Sequence, residues 1–184
     1  MVRGIFYSFM ILLISLNNLI AGGNTMSKEK DQVVNKVLNS VAKTLSRRHG
    51  MSCVGSGGAM MYQVEYLDLT FSMNRPLNKE EARSIIIDSV DEFINSVNKD
   101  VKLRRFLEVY PFCPKNISVG ILLTNYDGTN LFHPQLTTVG FVNGNVLYIT
   151  DDKENSWKHK EKIKESYDEA KRILEEQKRQ DFPD

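Results

Sequence analysis

Residues able to do covalent or metal chemistry are few in this chain, and their spacing asks little of them. Cys53 and Cys113 are the only thiols, and His49, His133 and His159 the only imidazoles. A thiolate beside a histidine is the minimum for nucleophilic catalysis, but no spacing here demands that meeting. The histidines pair with nothing at metal-ligand spacing, and neither HExxH nor a G-x-S-x-G elbow is present. No metal and no cofactor is expected.

Gly55-Ser56-Gly57-Gly58 superficially resembles a phosphate cradle. A dinucleotide fingerprint needs a strand, then G-x-G-x-x-G, then a helix that receives the pyrophosphate. Here the third glycine directly follows the second, and strand-like sequence comes next. A flexible lead-in to that strand is the favoured reading, with a backbone anion nest behind it. Asp151-Asp152 and Glu80-Glu81 could be paired acids for glycoside chemistry. Turn-making and complementing a helix dipole account for them adequately.

The clearest message is an address. Arg3 is the only charge before Lys28. An apolar run of twelve residues, 5–16, precedes Asn17-Asn18 and the small residues Ala21-Gly22-Gly23. A positive start, a short apolar core and a small-residue exit make a secretory signal peptide, so residues 1–23 are expected to be removed after Ala21 or Gly23. The alternatives are an inner-membrane anchor, for which the run is short against roughly 20 apolar residues, and a buried core helix. No cysteine stands near the exit to take a lipid.

Without residues 1–23 the chain holds 23 basic and 23 acidic residues. A net charge of zero argues against nucleic acid as a partner. What remains suits one domain, 24–178, with a frayed tail at 179–184. In an exported chain the even cysteine count invites a Cys53–Cys113 disulfide, whose long loop would stabilise by about 4 kcal/mol on the chain-entropy model. Two buried thiols are the alternative.

The elements read in order. Val33, Val34, Val37, Leu38, Val41 and Leu45 recur at helical spacing, and Gly50 follows the cations Arg47-Arg48-His49. Residues 67–73 alternate strictly, as a strand with one wet face does. An opposite phase at Tyr62, Val64 and Tyr66 suggests a bulge near Tyr66, or an end covered on both faces. Asn78 and Glu81 form a capping box before a stripe through Ala82, Ile85, Ile86, Val90, Phe93, Ile94 and Val97, with Arg83 off it. Asp100 caps a shorter helix. Residues 117–123 form a strand, and 136–142 with 145–150 a hairpin around Asn143-Gly144. Residues 157–178 are expected to close the chain as a helix with a seam of Ile163, Tyr167, Ala170 and Leu174. This order predicts an α+β fold: a single two-layer domain with a mostly antiparallel sheet of about four strands, three main helices and a preceding signal peptide.

Tyr110-Pro111-Phe112 places two aromatics on a proline-stiffened loop, either a binding anchor or, more commonly, a cover for the open end of a core. Together with Gly57-Gly58-Ala59-Met60-Met61, Glu80-Glu81-Ala82-Arg83 and Cys113-Pro114-Lys115-Asn116-Ile117, it resembles a group of small exported bacterial proteins of unknown function, over roughly residues 30–150. The resemblance implies export and a single domain, and no catalytic residue comes with it. The expectation is a non-enzymatic binding domain in the periplasm, the envelope or outside the cell. It would meet a protein partner or itself through Tyr110, Pro111, Phe112, Gly57 and Gly58. The rivals are a small hydrolase-like enzyme using Cys53, the glycines and Asp151-Asp152, and an envelope protein anchored by its amino terminus.

Overall fold

A computed structural model describes residues 3–155 and 158–181, with side chains from Met26 onward. Residues 1–23, expected as signal or anchor, therefore lie outside the described side chains. Among the described residues, no helix is long and apolar enough to cross a membrane. Helix α1 runs Arg3–His49, and the chain divides into two compact units, Met1–Lys36 and Val37–Asp184. The division between these two units falls inside α1.

The second unit is α+β. After the end of α1 come β1 (Ser52–Ala59), β2 (Tyr66–Met73), α2 (Lys79–Lys99) and α3 (Val101–Arg104). A 3-10 turn, Pro114–Asn116, leads to β3 (Ile117–Leu123), β4 (Thr138–Val142), β5 (Asn145–Asp151), β6 (His159–Ser166) and α4 (Tyr167–Asp181). All six strands form one sheet in sequence order, β1-β2-β3-β4-β5-β6. The sheet is mixed: β2 and β3 are parallel, joined through α2 and α3, and every other neighbour is antiparallel. The expected count of about four strands is corrected to six.

Both added strands were hidden for a physical reason. β1 is the glycine segment, whose residues have low strand propensity and are held by pairing with β2. β6 occupies the first half of the expected closing helix. Its lysines and glutamates suit a helix locally, but pairing with the free edge of β5 overrides that preference. Only then does the chain turn helical. α4 reaches Asp181, so residues 179–181 are helical, and 182–184 lie outside the described residues.

Alternation sets which face is covered. Leu67, Leu69, Phe71 and Met73 of β2 are buried, as are Ile117, Val119 and Ile121 of β3, Val139 and Phe141 of β4, and Val146 and Tyr148 of β5. α2 packs over β3, β4 and β5, and α4 beside it over β5 and β6. The opposite face of every strand stays half-exposed or exposed. Within this unit Val37, Leu38, Val41 and Leu45 of α1 are also buried. Arg48 binds Asp88 and Glu92 of α2 at 2.7 Å each, and His49 meets Asp88 at 2.7 Å.

Local signals hold where they are strong. Asn78 Oδ1 accepts from the Glu81 N–H at 2.8 Å, and the Glu81 carboxylate accepts from the Asn78 N–H at 3.2 Å. Asn143 (φ 50°) and Gly144 (φ 72°) both take the positive φ that the tight hairpin requires. The opposite phase before Tyr66 is not a bulge in β2. Val64 belongs to the preceding segment, where it bridges Leu107 and is fully buried. The register shift lies instead on β1, between Cys53 and Gly55.

Gly58 is sterically required. A Cβ there would fall on the Tyr66 carbonyl oxygen, a backbone atom that cannot step aside. At Gly55 the nearest atom to such a Cβ would be Thr70 Cβ at 3.6 Å, an ordinary contact. Gly58→Ala is expected to lower stability by about 2 kcal/mol and Gly55→Ala by less than about 0.5 kcal/mol. Urea unfolding of the two variants checks the contrast.

Candidate functional site

The thiols do not meet. Cys53 stands level with Phe71 and, through it, Ile121, whereas Cys113 precedes Ile117 at the other end of β3. Its N–H donates to Asn116 Oδ1 at 3.1 Å, and Asn116 Nδ2 donates to the Glu65 carbonyl at 3.1 Å, fixing it there. Four residues of strand separate the two levels by about 13 Å, against the roughly 7 Å between Cα atoms that a bridge tolerates. Both cysteines are free and exposed, and the expected disulfide is not formed.

The aromatic loop splits its roles. Phe112 is buried, and Asn98 clamps its backbone from both sides, accepting from the Phe112 N–H at 2.8 Å and donating to its carbonyl at 2.9 Å. Phe112 plugs the core. Tyr110 is 48% exposed, with the Arg104 guanidinium 4.1 Å from its ring centre, and Pro111 is exposed. Gly57 leaves room for Asp68, whose Oδ1 lies 3.0 Å from where a Cβ would stand.

The polar chemistry of the fold gathers where no sequence signal pointed. Glu165 of β6 is buried and takes four donors. Its Oε1 faces Lys79 Nζ at 2.6 Å and accepts from Arg83 Nη2 at 2.8 Å. Its Oε2 accepts from Arg83 Nε at 3.0 Å and from the Tyr148 hydroxyl at 2.9 Å. Burial works to raise this carboxyl's pKa. The hydrogen bonds from Arg83, Lys79 and Tyr148 overcome that and hold it at about 2, down from 4.5. Burial and the neighbouring carboxylate push the Tyr148 hydroxyl well upward.

Lys79 and Tyr148 also line a cavity of about 450 Å3, together with Pro76, Leu77, Pro134, Thr150, Glu161 and Ile163. The carboxylate that lines this cavity is Glu161; Glu165 lies behind Lys79 and Tyr148 and is not among the lining residues. Glu165 clasps β6 to α2 through Arg83 and Lys79. Neither thiol and no histidine lines the cavity. A second hollow of about 290 Å3 touches Asp151, but its other lining residues are uncharged. Asp151 pairs with His159 across the β5–β6 edge at 2.7 Å, and Asp152 with Lys160 at 3.4 Å. His133 Nδ1 lies 3.1 Å from the Thr150 hydroxyl. Among the described residues no three His, Cys, Asp or Glu are placed to hold a metal.

What remains is surface, and the two edges of the sheet differ sharply. β6 reads His-Lys-Glu-Lys-Ile-Lys-Glu-Ser, so its edge is guarded by charge. β1 reads Ser-Cys-Val-Gly-Ser-Gly-Gly-Ala, with no charge, no proline and no buried residue. A register shift interrupts its pairing around Val54, which is itself 57% exposed. Met61 (79% exposed) and Tyr62 (85% exposed) follow directly. Sequence reasoning singled out two of these glycines but not the edge, because the strand itself was missed.

Breaking the clasp leaves a buried charge uncompensated, so Glu165→Gln is expected to cost about 3 kcal/mol near neutral pH. A depressed carboxyl stabilises above its unfolded pKa and ceases to as it is protonated. The clasp's contribution is therefore complete above pH 4.5 and is lost as pH falls toward about 2. Urea unfolding across that window should show the loss in the natural chain and a flatter profile in the variant. Comparison with protein-family models, with curated proteins and with solved structures found no match to this chain.

Proposed function

We propose that this chain is an exported, non-enzymatic binding module of the bacterial envelope or exterior. Residues 1–23 serve as its export signal, and the β1 edge takes an extended segment of a partner protein by strand addition. The observation behind this reading is the inequality of the two sheet edges. An unpaired strand edge is a template for another strand, and folded proteins usually blunt it. β6 is blunted with lysines; β1 is left bare. No residue of β1 is buried, so core packing gives no reason for its presence. In strand addition, main-chain hydrogen bonds supply affinity and alternate side chains supply selectivity. Met61 and Tyr62 lie just beyond the edge, where they would grip an apolar residue of the incoming segment.

A photo-reactive residue at Val54, introduced into the exported chain, should cross-link a partner that the same residue at Lys162 on β6 does not. Val54→Lys with Ser56→Lys should abolish that capture while changing stability by less than about 0.5 kcal/mol, since both sites are exposed. Equal labelling from both edges, or catalytic turnover lost on a single substitution, would overturn the reading. Sequencing the amino terminus of exported material should begin at Gly22 or Asn24; a start at Met1 in a membrane fraction would indicate the anchor instead.

A further inference from the structure

The sheet face turned away from the helices carries unpaired charge of opposite sign on its two sides. Asp68 of β2 projects there, and Lys162 and Lys164 of β6 project from the far side, level with Ile149 and Leu147. Among the described residues none of the three has an ion-pair or hydrogen-bond partner. Between them the face is low and partly apolar, with Gly120 and Gly140 side by side, Leu122 45% exposed and Val142 36% exposed. At Gly140 a Cβ would meet nothing within 4 Å.

We propose that this face docks a second copy of the same chain, with the two-fold axis lying along the strands between β3 and β4. That operation sets β6 of one copy over β1 of the other, and β5 over β2. Lys164 belongs to the row that runs through Leu147, Gly140, Gly120 and Thr70 to Gly55. In the pair it descends on Gly55 and Gly57, where no side chain stands, and Asp68 lies across Gly57 to receive it. Asp68 is one pleat repeat, about 7 Å, from that row, within reach of a lysine stem. A two-fold axis across the strands would instead lay each strand on its own copy and leave Asp68 and Lys164 on opposite sides. Charge complementarity therefore selects the axis as well as the partner. Two twisted sheets meeting this way would cross at about −30°.

The test is zero-length carbodiimide coupling of the full chain, with peptide mapping of the dimer band. Within one copy Asp68 and Lys164 are four strands apart, about 19 Å, too far to couple directly. An Asp68–Lys164 cross-link can then arise only between copies, and it is the expected product. Sedimentation velocity should show Asp68→Lys weakening the dimer by about tenfold, with Lys164→Asp added to it restoring association. A monomer at every concentration, a dimer lacking this cross-link, no rescue by the charge swap, or Asp68 coupled to a different protein would each overturn the proposal. The β1-edge capture at Val54 is read independently and does not change with either outcome.

Discussion

The grip of Arg83 on Glu165 is the interaction on which the far half of this fold depends. β6 is an edge strand whose residues are exposed except for Glu165, so it contributes almost nothing to the apolar core. Two things hold it: the ladder to β5 and one carboxylate drawn under α2. The guanidinium takes both oxygens in a fork, Lys79 and Tyr148 complete the set, and no buried polar side-chain atom is left without a partner among the described residues. Desolvating these charges is costly, and full satisfaction offsets that cost. The clasp fixes where β6 lies and so where α4 begins, which lets Tyr167 set its ring against Phe141 at 5.7 Å between centres.

Within Val37–Asp184, α2 and α4 pack on one face of the sheet, which gives it an inside and an outside. On the inside, apolar residues alternate into the helix layer. On the outside, glycine, serine, threonine and a few aliphatics make a shallow surface with charge only toward the sides. The two edges complete the asymmetry, one armoured with lysine and one bare. Of the two cavities, the larger is lined by Lys79, Tyr148 and Glu161 and the smaller by Asp151.

How much of this was legible depended on whether a residue's role is local. The box of Asn78 and Glu81, the turn at Asn143-Gly144 and the apolar stripe of α2 are written within a few residues and were readable at once. Arg83 sits in that same stretch, yet nothing nearby says that its partner is 82 residues away. Glu165 looked like one more charge on a solvated helix, and only pairing with β5 turned that segment into a strand and its side chain inward. The glycines of β1 were visible as residues but not as a strand, since their conformation is imposed by β2 and not by their own preference.

The sequence by itself determined the class of fold, the helices with strong periodicity and the central strands, because hydrophobic alternation and capping are short-range physics. Tertiary structure alone decided the number of strands, the parallel pairing of β2 with β3, the separation of Cys53 from Cys113 and the burial of one carboxylate among two cations and a hydroxyl. These are outcomes of long-range pairing, in which a segment's weak local preference yields to the hydrogen bonds and packing offered by a distant edge.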